Sequence, residues 1–237
     1  MTDETLRWRG PTAPAREWRI ESRERVCDGF YRIDRLDLSH ELHGGGRTPT
    51  FDRELFVRGN VVGLLVWDRA RDEVVLIEQF RPGAMHRSTD PRLVEVIAGM
   101  IDTDETPVEV AVREAREEPG PKLSAESLRL ISRYLASPGC STEEVFVYLA
   151  ETDLSGIGGR FGLAEESEDI LVCAVPADDA IAMIDTGEVC NALSLIALQW
   201  FALYRMREGI GSPHRGCQGT SVAPSNQRSA AMTCPLM

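Results

Sequence analysis

No apolar run in the sequence approaches the length of a membrane-spanning helix, so an integral helical membrane protein is excluded. The opening MTDETLRWRG is polar and acidic, which is not the pattern of a secretory signal. Cysteine is sparse and scattered. Its six positions form no C-x-x-C pair and show no histidine spacing of a zinc site, so reduced thiols in a cytoplasmic protein are expected. Positive charge is also short, with 26 Lys and Arg against 38 Asp and Glu. A net charge of −12 argues against nucleic acid or an anionic membrane as a partner, because both need basic patches. No internal repeat is visible.

What remains is an ordinary globular composition, 43% hydrophobic and 27% charged, in 237 residues, long enough for a full core. Residues 1–16 are expected to form a loose arm. Residues 17–59 read as a β-rich segment, with alternating strands from Trp18 to about Leu42, a turn at Gly29, and a strand over Phe51–Val57. VVGLLVW (61–67) and VVLIEQF (74–80) are near-continuous apolar strands joined by polar DRARDE. Leu93–Ile97 reads as one strand running into Ala98-Gly99, and Leu128–Leu135, Val145–Ala150 and Ile170–Val175 as further strands. Residues 153–169 form a long glycine-rich acidic loop, and loops of that length are usually functional or disordered. Pro176 opens a short helix ending near Gly187, and Asn191 caps a last helix. Residues 208–237 turn to Gly, Ser and Pro and are expected to be a disordered tail. Strands, one glutamate-bearing helix and two closing helices suit an α+β class.

The most informative stretch is residues 99–121, GMIDTDETPVEVAVREAREEPGP. Thr106 and Glu109 form a capping box, and Pro107 takes the first helical position, where its missing N–H costs nothing. Val108, Ala111, Val112 and Ala115 make the expected buried stripe. Glu114, Glu117 and Glu118 share i, i+3, i+4 spacing on another face, where each like-charge pair costs about 0.2–0.5 kcal/mol. Arg113 can offset part of this cost through Glu117. A hard divalent cation, Mg²⁺ or Mn²⁺, would offset the rest. Taken alone, three such glutamates describe a solvated face.

The surrounding spacing is far more constrained. Gly99, Glu105, Arg113-Glu114, Glu117-Glu118 and Gly120 match every fixed letter of G-x5-E-x7-R-E-U-x-E-E-x-G-U, so the chain resembles the Nudix hydrolase superfamily. There are two departures. Pro121 stands where the family has an aliphatic residue, and Pro119 removes a donor and pushes Glu118 from helical dihedrals. The resemblance implies a Nudix α/β/α sandwich over about 60–207.

EQFRPGA, LASPGCSTE, GLAEESEDI and NALSLIALQW are similar to the ADP-ribose pyrophosphatase branch of that family. By that resemblance the carbonyl of Ala98 and the carboxylates of Glu114, Glu118 and Glu168 would hold metal. Glu166 would be the general base, with Glu165 as the alternative in the neighbouring register. Phe30 and Tyr31 would contact adenine, while Arg53, Arg58 and Arg81 would approach the phosphates or base. Met100, Ser137, Pro138, Gly139 and Glu143 would line the pocket around the terminal ribose. The N-terminal segment would be exchanged in a homodimer, so that Phe30, Tyr31 and Arg53 would serve the neighbouring subunit's site. The implied reaction is metal-assisted hydrolysis of ADP-ribose to AMP and ribose 5-phosphate. The rivals are another Nudix diphosphatase, acting on GDP-mannose or NADH, and a catalytically weakened ADP-ribose-binding module.

Overall fold

The computed structural model describes residues 15–86, 90–101, 104–117, 123–162 and 167–210. The chain divides into two compact units. One runs to Arg58 and includes Ser137–Thr142; the other holds Gly59–Ala136 and continues from Glu143. Most of the first expected arm and nearly all of the expected tail lie outside the described residues.

The first unit is an antiparallel sheet of β1 (Trp18–Asp28), β2 (Arg32–His40) and β3 (Phe51–Val57), in that order. Gly29 makes the first turn, where its N–H donates to the Tyr31 carbonyl at 3.1 Å. The SPG loop joins the end of β3: Phe56 N–H donates to Cys140 O at 2.7 Å, and Thr142 N–H donates to Phe56 O at 3.1 Å. Every residue of β1 is exposed. Asp34 on β2 is buried between Arg23 and Arg25, and the Arg25 guanidinium above all holds its carboxyl below the usual carboxylate range.

The second unit is a mixed eight-stranded sheet between helices. Its main path runs β10 (Gly158–Phe161), β11 (Ile170–Pro176), β5 (Glu73–Phe80), β4 (Asn60–Asp68), β9 (Glu144–Glu151) and β8 (Leu128–Leu135). Two short strands lie off that path: β6 (Arg92–Glu95) on β5 and β7 (Ile97–Ile101) on β4. Side chains alternate across a strand, so the apolar run of β4 feeds two cores. Val62, Leu64 and Val66 pack with α1 (Pro107–Glu117). Leu65 and Trp67 pack with α2 (Ala177–Thr186) and α3 (Ala192–Glu208). This is the α/β/α sandwich expected.

The local signals hold where chemistry is specific. Thr106 Oγ1 accepts from Glu109 N–H at 3.3 Å, and Glu109 Oε2 accepts from Thr106 N–H at 2.7 Å, completing the capping box. Asn191 Oδ1 accepts from Ser194 N–H at 2.8 Å, and Gly187 ends α2 at φ 77°.

Three expectations are corrected. The 93–97 run is not one strand: β6 pairs with β5, β7 pairs with β4, and fully buried Val96 is the crossing between them. The 153–169 loop contains β10, which pairs with β11 through residues whose glycines carry little strand signal. On α1 the buried residues are Val110, Ala111 and Ala115, while Val108 and Val112 are half-buried and line a groove with Leu123. The helix is thus rotated so that its sheet-facing side includes position 114.

Asp68 ends β4 and secures this frame. Its buried carboxylate accepts from Ala70 N–H (2.9 Å), Arg71 N–H (3.0 Å) and Leu154 N–H (3.1 Å). These bonds, that of Leu154 foremost, hold its carboxyl below the usual range. Removing them strands the buried Leu154 N–H, at about 1–3 kcal/mol, and loses two further bonds at the exposed turn. Asp68→Ala should therefore lower stability in urea denaturation at pH 7 by about 2–4 kcal/mol, with Asp68→Asn in between. The lowered pKa makes this a contribution present above the ordinary carboxylate range and lost as pH falls through the folded value, so the wild-type advantage should vanish in strong acid.

Candidate active site

The chemistry-bearing residues of the second unit meet where β7 passes under α1. Gly99, in the middle of β7, has no side chain, and the Glu114 carboxylate occupies the volume that a Cβ there would need. Glu114 is only 14% exposed. Its carboxyl is pushed up to about 7, first by burial and then by Glu117 and Glu168, with Arg113 acting against the rise. Arg113 is shared among three acids. Its Nη1 donates to Glu114 Oε1 at 2.9 Å and to Glu117 Oε2 at 3.1 Å, and its Nε donates to Glu105 Oε2 at 3.2 Å. One guanidinium against three carboxylates leaves the cluster net acidic.

The ends of β5 and β11 bring in the remaining members. Their antiparallel pairing runs from Pro176↔Glu73 to Leu171↔Glu78. β11 begins at Ile170, just after Glu168, and β5 ends at Phe80, just before Arg81, so the antiparallel pair brings both to the same end of the sheet. Arg81 reaches back to Glu95, with Nε donating at 2.9 Å and Nη2 at 2.7 Å from the same carboxylate oxygen. Ala98 and Met100 lie on β7, paired with Gly63 and Val61. Glu143 accepts from Ala136 N–H through its carbonyl at 3.2 Å, at the base of the SPG loop.

The other expected contacts sit in the first unit, and the structure divides them. Tyr31 meets Phe30 edge-on, with ring centroids 4.8 Å apart, and packs on Phe56 at 5.1 Å. The Arg58 guanidinium lies over the Tyr31 ring at 5.9 Å, and Arg58 N–H donates to Thr142 Oγ1 at 3.1 Å. Phe30, Tyr31, Arg58 and the loop carrying Ser137, Pro138 and Gly139 therefore gather at one end of β3. Arg53 does not join them. It stacks on Phe51 at 4.7 Å, on the face of β3 opposite Phe56. Phe30 is 81% exposed, an open aromatic surface rather than a core residue.

Glu118 and Glu166, the expected second metal-binding glutamate and the base, lie outside the described residues, as does Glu165. Among the described residues no three His, Cys, Asp or Glu side chains converge as a ready-made metal centre. The donor chemistry nevertheless suits a hard divalent ion. The carboxylate against Gly99 is buried, and burial first of all pushes it up to about 7, a rise that a cation beside it would oppose. Glu95, Gln79 and Asn191 form a buried polar network that the sequence reading passed over. Its one signal was a glutamate inside the apolar run LVEVI.

Comparison with known proteins agrees with this geometry. The family model described as NUDIX domain matches residues 57–192. The chain is similar to an ADP-ribose pyrophosphatase of Escherichia coli (strain K12), 40% identical over 185 residues, covering 78% of this chain and 88% of the relative. It is 35% identical over 189 residues to an ADP-ribose pyrophosphatase of Haemophilus influenzae, covering 78% and 85%. A GDP-mannose pyrophosphatase of Enterobacter sp. (strain 638) is 39% identical over 183 residues, covering 75% and 91%. Among solved structures, that of an ADP compounds hydrolase has the same fold, with a TM-score of 0.61 at 17% identity over 84% of this chain and 99% of that one. With a site assembled on a glycine strand and a glutamate helix, and a matched domain spanning most of the second unit, the chain belongs to the Nudix family.

Proposed function

We propose that this protein is a Mg²⁺-dependent ADP-ribose pyrophosphatase that hydrolyses ADP-ribose to AMP and ribose 5-phosphate. The observation carrying the proposal is the Glu114 carboxylate, buried against Gly99 among other acids with one shared arginine. Similarity to relatives bearing that activity selects the substrate. The GDP-mannose pyrophosphatase relatives make GDP-mannose the second reading, and product identification on both compounds separates the two.

In this reading the Ala98 carbonyl, Glu114, Glu118 and Glu168 hold Mg²⁺, with Mn²⁺ as the other ion they suit. Bound there, such ions neutralise the diphosphate and acidify water. Glu166 takes the proton of the attacking water, a contribution of about 10²–10⁴-fold. Arg81 and Arg58 bind phosphate oxygens, for which the planar guanidinium is apt. Phe30 and Tyr31 offer flat faces to adenine, and Met100, Ser137, Pro138, Gly139 and Glu143 surround the terminal ribose. With the N-terminal segment exchanged in a homodimer, Phe30, Tyr31 and Arg53 serve the neighbouring subunit's site. The fully exposed β1, with Trp18 and Ile20 uncovered, supports such pairing. We place the protein in the cytoplasm, without nucleic acid or membrane partners. The free thiols Cys27, Cys140, Cys173 and Cys190 suit that compartment, and no helix among the described residues is long and apolar enough to cross a membrane.

Purified protein with millimolar Mg²⁺ should convert ADP-ribose to AMP and ribose 5-phosphate, read by chromatography of the products. Glu114→Gln or Glu118→Gln should abolish turnover. Glu166→Gln should lower kcat by about 10²–10⁴ while leaving ion binding intact, and full activity in that variant would move the base elsewhere.

The raised Glu114 pKa gives a second test with a defined sign. Between its ordinary value and about 7 the folded state holds a proton that the unfolded chain releases, so stability falls as pH rises through that window. In the presence of a chelator, Glu114→Gln should match wild type near pH 4.5 and exceed it at pH 8 by about 2–3 kcal/mol in urea denaturation. Saturating Mg²⁺ should reverse that order, because only the carboxylate gains from the ion.

A further inference from the structure

Glu95 is a buried acid that the proposed chemistry does not use. It closes β6 one residue before the Val96 crossing, and its side chain is 9% exposed. Four hydrogen bonds fill it. Oε2 accepts from Arg81 Nη2 (2.7 Å), Arg81 Nε (2.9 Å) and Gln79 Nε2 (3.2 Å), and Oε1 accepts from Asn191 Nδ2 at 3.0 Å. Asn191 is itself held, since its Oδ1 accepts the Ser194 N–H as the cap of α3. With the oxygen so engaged, the amide nitrogen must face Glu95. Ser194 Oγ in turn accepts Val96 N–H at 3.0 Å, tying the strand crossing to the same helix start.

We propose that Glu95, oriented by Asn191, is a positioning residue that presets Arg81 for the substrate's diphosphate. This rests on the reading of Arg81 as a phosphate-binding residue. A buried ion pair by itself adds little stability. A carboxylate against Arg81 also lowers the positive charge an anion would meet, so the gain must be geometric. Arginine carries five N–H donors, and Glu95 takes the Nε edge, leaving the others for a ligand. The side chain remains 39% exposed while its root is pinned on a buried oxygen. Because β11 pairs antiparallel with β5, Arg81 after the end of β5 lies at the same end of the sheet as Glu168 before the start of β11. Ordering a rotamer-rich side chain before binding saves the cost of ordering it during binding.

The test is a double-mutant cycle on the full-length protein with Mg²⁺. Glu95→Gln should raise the KM for ADP-ribose about three- to tenfold with kcat little changed, the size expected for one pre-ordered side chain. In an Arg81→Ala background the same substitution should add nothing. Asn191→Ser, which keeps the helix cap but lacks the amide donor, should raise KM in the same direction without lowering Tm. Equal effects of Glu95→Gln with and without Arg81, or a fall in kcat at constant KM, would overturn the proposal. Calorimetric binding of inorganic diphosphate to the same four proteins separates it from the functional reading. A protein inert towards ADP-ribose that still shows Glu95–Arg81 coupling in diphosphate binding would refute the activity and keep the positioning role. Turnover of ADP-ribose with no coupling in either measurement would do the reverse.

Discussion

The second unit depends on one close approach, a carboxylate lodged against a strand at the point where that strand has no side chain. At an effective dielectric near 20, two like charges about 4 Å apart repel by roughly 4 kcal/mol. Burial is what costs the Glu114 carboxylate most, Glu117 and Glu168 add repulsion to it, and the rise of its pKa to about 7 expresses the sum. Arg113 relieves only part of it, because the same guanidinium also serves Glu105 and Glu117. A fold that tolerates this without compensation would be expected to turn the side chain outward. This one does the opposite, rotating α1 so that Val110, Ala111 and Ala115 carry Glu114 inward with them.

The sheet supplies the room. β4 and β5 pair with each other only through Trp67↔Val74 and Asp68↔Glu73 beside their turn, then diverge. β7 fills one arm of the fork and β6 the other, so the chain crosses at Val96 and presents Gly99 to α1 on one side and Glu95 to Arg81 on the other. Buried Asp68 holds the closed end of the fork to Leu154, at the start of the segment that returns as β10 and β11.

Much of this was legible in the sequence wherever a residue type has one local use. The Thr106–Glu109 box, Pro107, Asn191 and Gly187 act within a few residues of themselves, and each stands where its chemistry predicts. What depended on distant partners was not legible. LVEVI looks like one strand because buried Val96 is as apolar as its neighbours, and only the change of partner from β5 to β4 breaks the run. Gly158 and Gly159 hide β10, since strand patterning lives in side chains they lack. The facing of α1 was misread by about one residue because Val108, Val110 and Val112 are equivalent in hydrophobicity. The tertiary environment of Glu114 chooses among them. The network of Glu95, Gln79, Arg81 and Asn191 spans positions 79 to 191, a separation at which no spacing rule operates.

The two units differ in what holds their polar and aromatic side chains in place. The matched Nudix segment begins at residue 57, close to where the second unit begins, so β1, β2 and nearly all of β3 fall outside it. In the second unit Glu114 is held by the packing of α1 against Gly99, and Arg81 by its ion pair with buried Glu95. Phe30, Tyr31 and Arg58 instead rest on a three-stranded sheet with an exposed outer strand and on a short loop at its end. A change at Gly99 would displace the Glu114 carboxylate from the volume it fills, and a change at Glu95 would release Arg81, so both act from within the second unit.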